Sequence, residues 1–141
     1  MQVKTKSSMM VRQPDKSQNI YAELGSLARM MRTDPARYSV LIGNLLDGFG
    51  ADHILWGTDT PVIGPPDWQI EAFKTFTIPE ELAAQHRYPQ LTPEAKNQIF
   101  GENAARIFEI DIAAARQAIE GDLLYKLRDD RNPLPAGASP L

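Results

Sequence analysis

The stretch that decides the fold is "HILWGTDTPVIGPP" (residues 53–66). Within it, Ile54, Leu55 and Trp56 form a short apolar run, which is typical of a strand buried on both faces. Strands of this kind belong to parallel sheets that helices cover. The run stops at Gly-Thr-Asp-Thr-Pro, so a single acidic residue, Asp59, follows the carboxyl end of the predicted strand.

The residues before this stretch predict a strand and a helix. "NIYAEL" (residues 19–24) alternates weakly between polar and apolar residues, which indicates a short strand. In "DPARYSVLIGNLLDGFG" (residues 34–50), apolar residues recur at the spacings of one helix face. Asp34 suits the N-cap of that helix, and Pro35 suits its first position. Strand, helix and strand over about 35 residues predict a parallel βαβ unit.

The second half of the chain predicts helices throughout. Asp67, Thr92 and Asp111 are suitable N-caps, and Pro79 suits the start of a further helix. Gly101 is expected to interrupt the helix that begins after Thr92. The predicted class is therefore α/β, with a small parallel sheet and a mostly helical content.

The predicted domain organisation has three parts. Residues 1–18 are predicted to form a polar disordered arm, residues 19–131 the folded part, and residues 132–141 a flexible tail. Two parallel strands do not make a self-sufficient sheet, because the outer backbone groups of each strand lack partners. Either another chain completes the sheet, or the sequence is part of a larger fold.

Composition limits the possible functions. The chain has 141 residues and a net charge of −3, which provides no basic face for nucleic acid. It contains no cysteine, which excludes disulfides, cysteine-ligated zinc and thiolate catalysis and favours a cytoplasmic location. No apolar run approaches the roughly 20 residues of a membrane span, so no membrane partner is expected.

Asp59 has two interpretations from its position alone. It follows a buried parallel strand, and ligands and catalytic groups gather at the carboxyl ends of such strands. The sequence Thr-Asp-Thr-Pro also suits a turn in which the aspartate accepts hydrogen bonds from nearby backbone N–H groups. The residues by themselves leave both interpretations open.

Two motifs together resemble a known family. "ADHILWGTDTP" (residues 51–61) and "LTPEAKNQIFGENAARIFEID" (residues 91–111) look like the C-terminal end of the amidohydrolase-related family. This family of metal-dependent (β/α)₈ barrels includes aminocarboxymuconate-semialdehyde decarboxylase. Its last barrel strand ends in Gly-Thr/Ser-Asp-x-Pro, and its closing helices carry Asn-Ala-x-Arg-Ile/Leu-Phe. The resemblance spans residues 19–111 and implies a C-terminal fragment of a (β/α)₈ TIM barrel.

By this resemblance, Asp59 is both a catalytic residue and a metal ligand. The resemblance implies a divalent metal, Zn²⁺, that activates water for hydrolysis or decarboxylation of a small-molecule substrate. Glu23, Trp56 and Thr58 are candidates for the substrate pocket. Each also has a structural interpretation: Glu23 as an outward-facing or ion-paired residue, Trp56 as a core residue, and Thr58 as support for the turn.

The histidines depart from the family pattern. The family takes most of its metal ligands from His-x-His and a further histidine, whereas this chain has two histidines and no His-x-His. His53 opens the strand that Asp59 follows, which places the two about 20 Å apart. His86 falls in a helical segment. The chain alone is therefore expected to be inactive. Either an N-terminal barrel polypeptide completes it, or it is a non-catalytic truncated remnant or a self-associating helical module without metal.

Overall fold

The computed structural model describes residues 19–120 and 122. The predicted arm at residues 1–18 and the predicted tail at residues 132–141 lie outside the described residues. The described part divides into two compact units, of which the first ends at Ala104 and the second begins at Ala105.

Helices dominate the described residues, as the sequence predicts. The two strands are β1 (Ala22–Glu23) and β2 (Ile54–Leu55). The α-helices are α1 (Ala28–Thr33), α2 (Pro35–Phe49), α3 (Thr60–Ile63), α4 (Asp67–Thr75), α5 (Glu80–His86), α6 (Pro93–Asn97), α7 (Asn103–Ile107) and α8 (Ile112–Glu120). A 3₁₀ turn spans Ala51–His53, and a π-helical segment spans Gln98–Glu102. Over the described part of the chain, no helix is both long and apolar enough to cross a membrane.

The two strands pair in parallel, which confirms the predicted βαβ order. Ala22 lies opposite Ile54 and Glu23 opposite Leu55. The Leu24 N–H continues the ladder and donates to the Leu55 carbonyl at 3.0 Å. Each strand has two residues, so both are shorter than predicted. Within the described residues the sheet has these two strands, and the (β/α)₈ barrel stays a prediction.

Side-chain caps begin three of the predicted helices. The Asp34 carboxylate accepts from the Arg37 N–H at 3.0 Å at the start of α2. The Thr92 hydroxyl accepts from the Ala95 N–H at 3.2 Å at the start of α6. Asp111 accepts from two backbone N–H groups in the first turn of α8. These bonds satisfy N–H groups that the helix itself leaves without partners, and they confirm the three predicted caps.

Two predictions about the helical half are wrong. Asp67 is the first residue of α4 rather than its cap, since Pro66 occupies the N-cap position without a side-chain bond. Gly101 does not interrupt the helix. It lies in the π-helical segment, in which the Asn103 N–H donates to the Gln98 carbonyl, five residues earlier. The helix forms one wider, π-helical turn at this point, so helical structure continues from α6 to α7 without a break.

The apolar stripe of α2 lies at the centre of the core. Tyr38, Ile42 and Leu46 are buried at successive turns of the helix and pack with Leu24 and Ile54 from the strand segments. Full burial of one such side chain contributes about 1.5–3 kcal/mol. Burial also raises the pKa of the Tyr38 hydroxyl, because the ionised form loses its hydration. The core thus holds α2 against the parallel strands, as expected of a βαβ unit.

A helix carbonyl contacts the end of β2. The Trp56 N–H, directly after β2, donates to the carbonyl of Ile99 at 3.0 Å. In an α-helix that carbonyl would accept from the Asn103 N–H, which here bonds one residue further back. The π-helical segment therefore makes the Ile99 carbonyl accessible to Trp56.

Candidate functional site at the carboxyl ends of the strands

The structure brings Glu23 and Asp59 together. Glu23 ends β1, and Asp59 follows β2 after a short extended segment. A Cβ placed on Gly25 would lie 2.7 Å from Asp59 Oδ1 and 2.7 Å from Glu23 Oε2. Both side chains are exposed. The two carboxylates therefore lie close together near Gly25, at the carboxyl ends of the strands, where parallel α/β folds bind ligands.

A hydroxyl fixes one of these carboxylates. The Ser26 hydroxyl donates a hydrogen bond to Asp59 Oδ2. Both residues have left-handed backbone conformations, with φ of 58° at Ser26 and 46° at Asp59. Such conformations cost residues other than glycine about 1 kcal/mol each, and they concentrate at functional sites. Asp59 is also the N-cap residue of α3, and its main-chain carbonyl accepts from the Val62 and Ile63 N–H groups. Its carboxylate makes no cap hydrogen bond there, so the side-chain bonds of the turn interpretation are not formed.

Gly57 gives the Glu23 carboxylate its position. Glu23 Oε1 fills the space that a side chain at residue 57 would occupy, and a Cβ there would also lie 3.1 Å from the Gly25 backbone nitrogen. Sequence reasoning missed Gly25, Ser26 and Gly57 as parts of this site. The available signal was the small residues that directly follow each strand, in "LGS" and "WGT".

Trp56 and Thr58 make structural contacts. The Trp56 ring lies 5.0 Å from the Phe73 ring and 4.8 Å from the Phe100 ring, between centroids. The hydroxyls of Thr58 and Thr60 lie 2.8 Å apart, within the turn after β2. These contacts agree with the interpretation of Trp56 as a core residue and of Thr58 as support for the turn. A role of Glu23, Trp56 or Thr58 in a substrate pocket stays a prediction.

The histidines lie in other environments. His53 closes the 3₁₀ turn before β2, and its buried ring stacks on Tyr21 at 5.0 Å. Its Nδ1 atom lies 3.3 Å from the Asp52 carboxylate. His86 ends α5 and stacks on Tyr88 at 5.1 Å. His53 is thus packed at the amino end of β2, whereas Asp59 follows its carboxyl end.

The donor set is incomplete for a catalytic metal. Among residues 19–120 and 122, no three His, Cys, Asp or Glu side chains lie close enough to hold a metal ion. A catalytic zinc takes three protein ligands and keeps one open position. Glu23 and Asp59 provide two carboxylates, so the described residues alone do not fit a catalytic zinc ion. Asp59 as a metal ligand stays a prediction.

The fold and the site define a class: a parallel α/β unit with carboxylates at the carboxyl ends of its strands. A sequence model of the family described as amidohydrolase matches residues 7–110. The chain belongs to the amidohydrolase family, which confirms the predicted family. The decarboxylase-like subfamily stays a prediction. The match begins at residue 7, within the segment predicted as a disordered arm. No curated protein and no solved structure matches the chain significantly.

Proposed function

We propose that this chain supplies the carboxylate side of an amidohydrolase-type centre that hydrolyses or decarboxylates a small organic substrate. The observation that carries the proposal is the convergence of Glu23 and Asp59 at the carboxyl ends of β1 and β2 in a chain of this family. An ionised carboxylate at the carboxyl ends of these strands can accept a proton from water or substrate. The bond from Ser26 to Oδ2 fixes the orientation of Asp59 for that role.

The proposal includes a second polypeptide that contributes histidines. Two carboxylates leave a catalytic metal site of this type short of protein ligands. Within the described residues, no strand pairs with the other side of β1, where a further parallel strand could pair. A polypeptide with His-x-His and a third histidine would supply both the missing ligands and the missing strands.

Co-expression with the polypeptide encoded immediately upstream tests this proposal. We expect the two polypeptides to co-purify and to retain about one zinc ion per complex, measured by elemental analysis. Asp59→Asn should lower the zinc content, whereas Asp47→Asn, an exposed acid on α2, should leave it unchanged. An upstream frame without His-x-His, or a complex without zinc, would refute the split centre. Full zinc retention in the Asp59→Asn complex would refute the role of Asp59.

A non-catalytic function is the alternative. In the second compact unit, Phe108, Ile110 and Ile119 are exposed to between 50% and 69%. Exposed apolar side chains and unpaired strand edges both favour self-association. This alternative predicts that the isolated chain contains no zinc and forms a concentration-dependent oligomer in light scattering. A zinc-loaded monomer would contradict it.

A further inference from the structure

A cavity of about 320 Å³ lies in the first compact unit. Neither Glu23 nor Asp59 is among its lining residues. Its walls come from α1, α3 and α4, and its lining residues are Arg29, Arg32, Thr33, Val62, Ile63 and Trp68. The volume is at the lower end of the range for small-molecule sites, which is about 300–1,000 Å³. None of the lining residues is acidic.

Two arginines give one wall of the cavity a positive charge. Arg29 and Arg32 are three residues apart on α1 and therefore share a face of that helix. Neither guanidinium forms an ion pair with any acidic side chain among the described residues. The Arg32 guanidinium lies 5.1 Å from the centroid of the Trp68 ring, close enough for a cation–π contact. The charge of this wall is thus available to an anionic ligand.

Three of the other lining residues are apolar. Val62 and Ile63 belong to α3, and Trp68 belongs to the first turn of α4. Val62 is 83% exposed, so a ligand in the cavity would remove an apolar side chain from water. The Thr33 hydroxyl already donates to the Arg29 carbonyl at 3.2 Å. Two guanidinium groups and three apolar side chains thus provide most of the lining.

We propose that this cavity binds a small organic carboxylate with an apolar body. A carboxylate matches the planar fork of a guanidinium and can accept two parallel hydrogen bonds from it. The apolar body would lie against Trp68 and Val62. Inorganic phosphate would meet the arginines alone, and a neutral aromatic compound would meet the apolar wall alone. The proposal is independent of the metal centre, since binding requires none of its residues.

Nuclear magnetic resonance of the tryptophan indole N–H groups tests the proposal in the full chain without metal. The chain has two tryptophans, and Trp68→Phe assigns their two signals. Benzoate is the probe; benzyl alcohol keeps the ring without the charge, and phosphate keeps the charge without the ring. We expect a saturable shift of the Trp68 signal with benzoate. We expect affinity for benzoate to be at least about tenfold higher than for either control.

Arginine variants locate the binding. Arg29→Gln and Arg32→Gln should each weaken benzoate binding by about tenfold, the effect of losing roughly 1.4 kcal/mol. Arg37→Gln, an exposed arginine on α2 outside the cavity lining, is the matched control and should leave affinity unchanged. Circular dichroism checks that each variant folds. The proposal is overturned if the Trp68 signal does not shift at millimolar benzoate, if either control compound binds as well as benzoate, or if the three variants behave alike.

Discussion

The two ends of the β1–β2 sheet differ in the burial and hydrogen bonding of their polar side chains. At the amino end, the Asn103 side chain is buried and donates to the carbonyls of Ala51 and Ile54, at 2.7 and 2.8 Å. At the carboxyl end, Glu23 and Asp59 are exposed and approach each other. The same pair of strands therefore has one end with a buried, hydrogen-bonded amide and one end with two exposed carboxylates. In (β/α)₈ barrels, catalytic residues lie at the carboxyl ends of the strands, and residues that stabilise the fold lie at the amino ends.

The contrast extends to backbone conformation. The carboxyl end contains Ser26 and Asp59 in left-handed conformations and two like-charged side chains. At the amino end, His53 is buried in a ring stack with Tyr21. The left-handed residues and the like charges thus lie at the carboxyl end, while the amino end contributes ring packing and the two hydrogen bonds of Asn103, although the buried His53 Nδ1 has no hydrogen-bond partner among the described residues. Neutralising an acidic side chain at the carboxyl end and removing a polar side chain at the amino end should therefore change stability in opposite directions.

Asn103→Ala should have the largest effect on this comparison. It removes both donors to the carbonyls of Ala51 and Ile54, and we expect the free energy of unfolding to fall by about 2–4 kcal/mol. Urea denaturation measures the change. Asn97→Ala on α6 is the matched control; Asn97 is exposed, and the change should stay within about 0.5 kcal/mol. Equal losses in the two variants would show that the amino end has no special structural role.

Gly57→Ala should have an intermediate effect at the carboxyl end. The new methyl group takes the space of the Glu23 carboxylate and approaches the Gly25 backbone nitrogen. The flexible glutamate can rotate away, so we expect a loss of about 1 kcal/mol rather than unfolding. In the Glu23→Ala background the loss should be smaller, because the clash with the carboxylate is gone and the approach to the Gly25 nitrogen remains. An unchanged loss in that background would mean that Glu23 does not occupy the position next to Gly57.

Asp59→Asn should have the smallest effect on the free energy of unfolding. It should raise stability, whereas the two other substitutions lower it. Asparagine tolerates a left-handed conformation and still accepts from Ser26, while the like-charge repulsion with Glu23 disappears. We expect stability to rise by a few tenths of a kcal/mol at low salt. The gain should vanish in 1 M salt and in the Glu23→Gln background. A loss of stability would show that Asp59 is mainly a structural turn residue.

The sequence predicted elements whose stabilising contacts are local. Asp34 and Pro35 begin α2 as expected, because an N-cap bond and a fixed φ involve neighbouring residues only. The parallel order of the strands followed from the same local patterns. Strand length did not, because pairing depends on partners distant in sequence. The Trp56 N–H bonds to a helix carbonyl rather than to a strand.

The missing parts of the prediction depend on tertiary contacts. Helix α1 has no side-chain cap and no acidic residue in its first turn, so the sequence contained no start signal for it. It packs against α2 and α4 instead. The cavity with Arg29 and Arg32 was missed together with the helix. The proximity of Glu23 to Gly57 was missed for a related reason: a glycine in the sequence does not show which side chain fills its space.

The bond between Trp56 and Ile99 has a consequence for assembly. It places a helix where the next strand of a growing sheet would pair, and it occupies a backbone donor that such a strand would use. A polypeptide that extended the sheet beyond β2 would compete with the chain's own π-helical segment for that donor. Pairing of a further strand with the outer side of β2 would therefore require the bond between Trp56 and Ile99 to break.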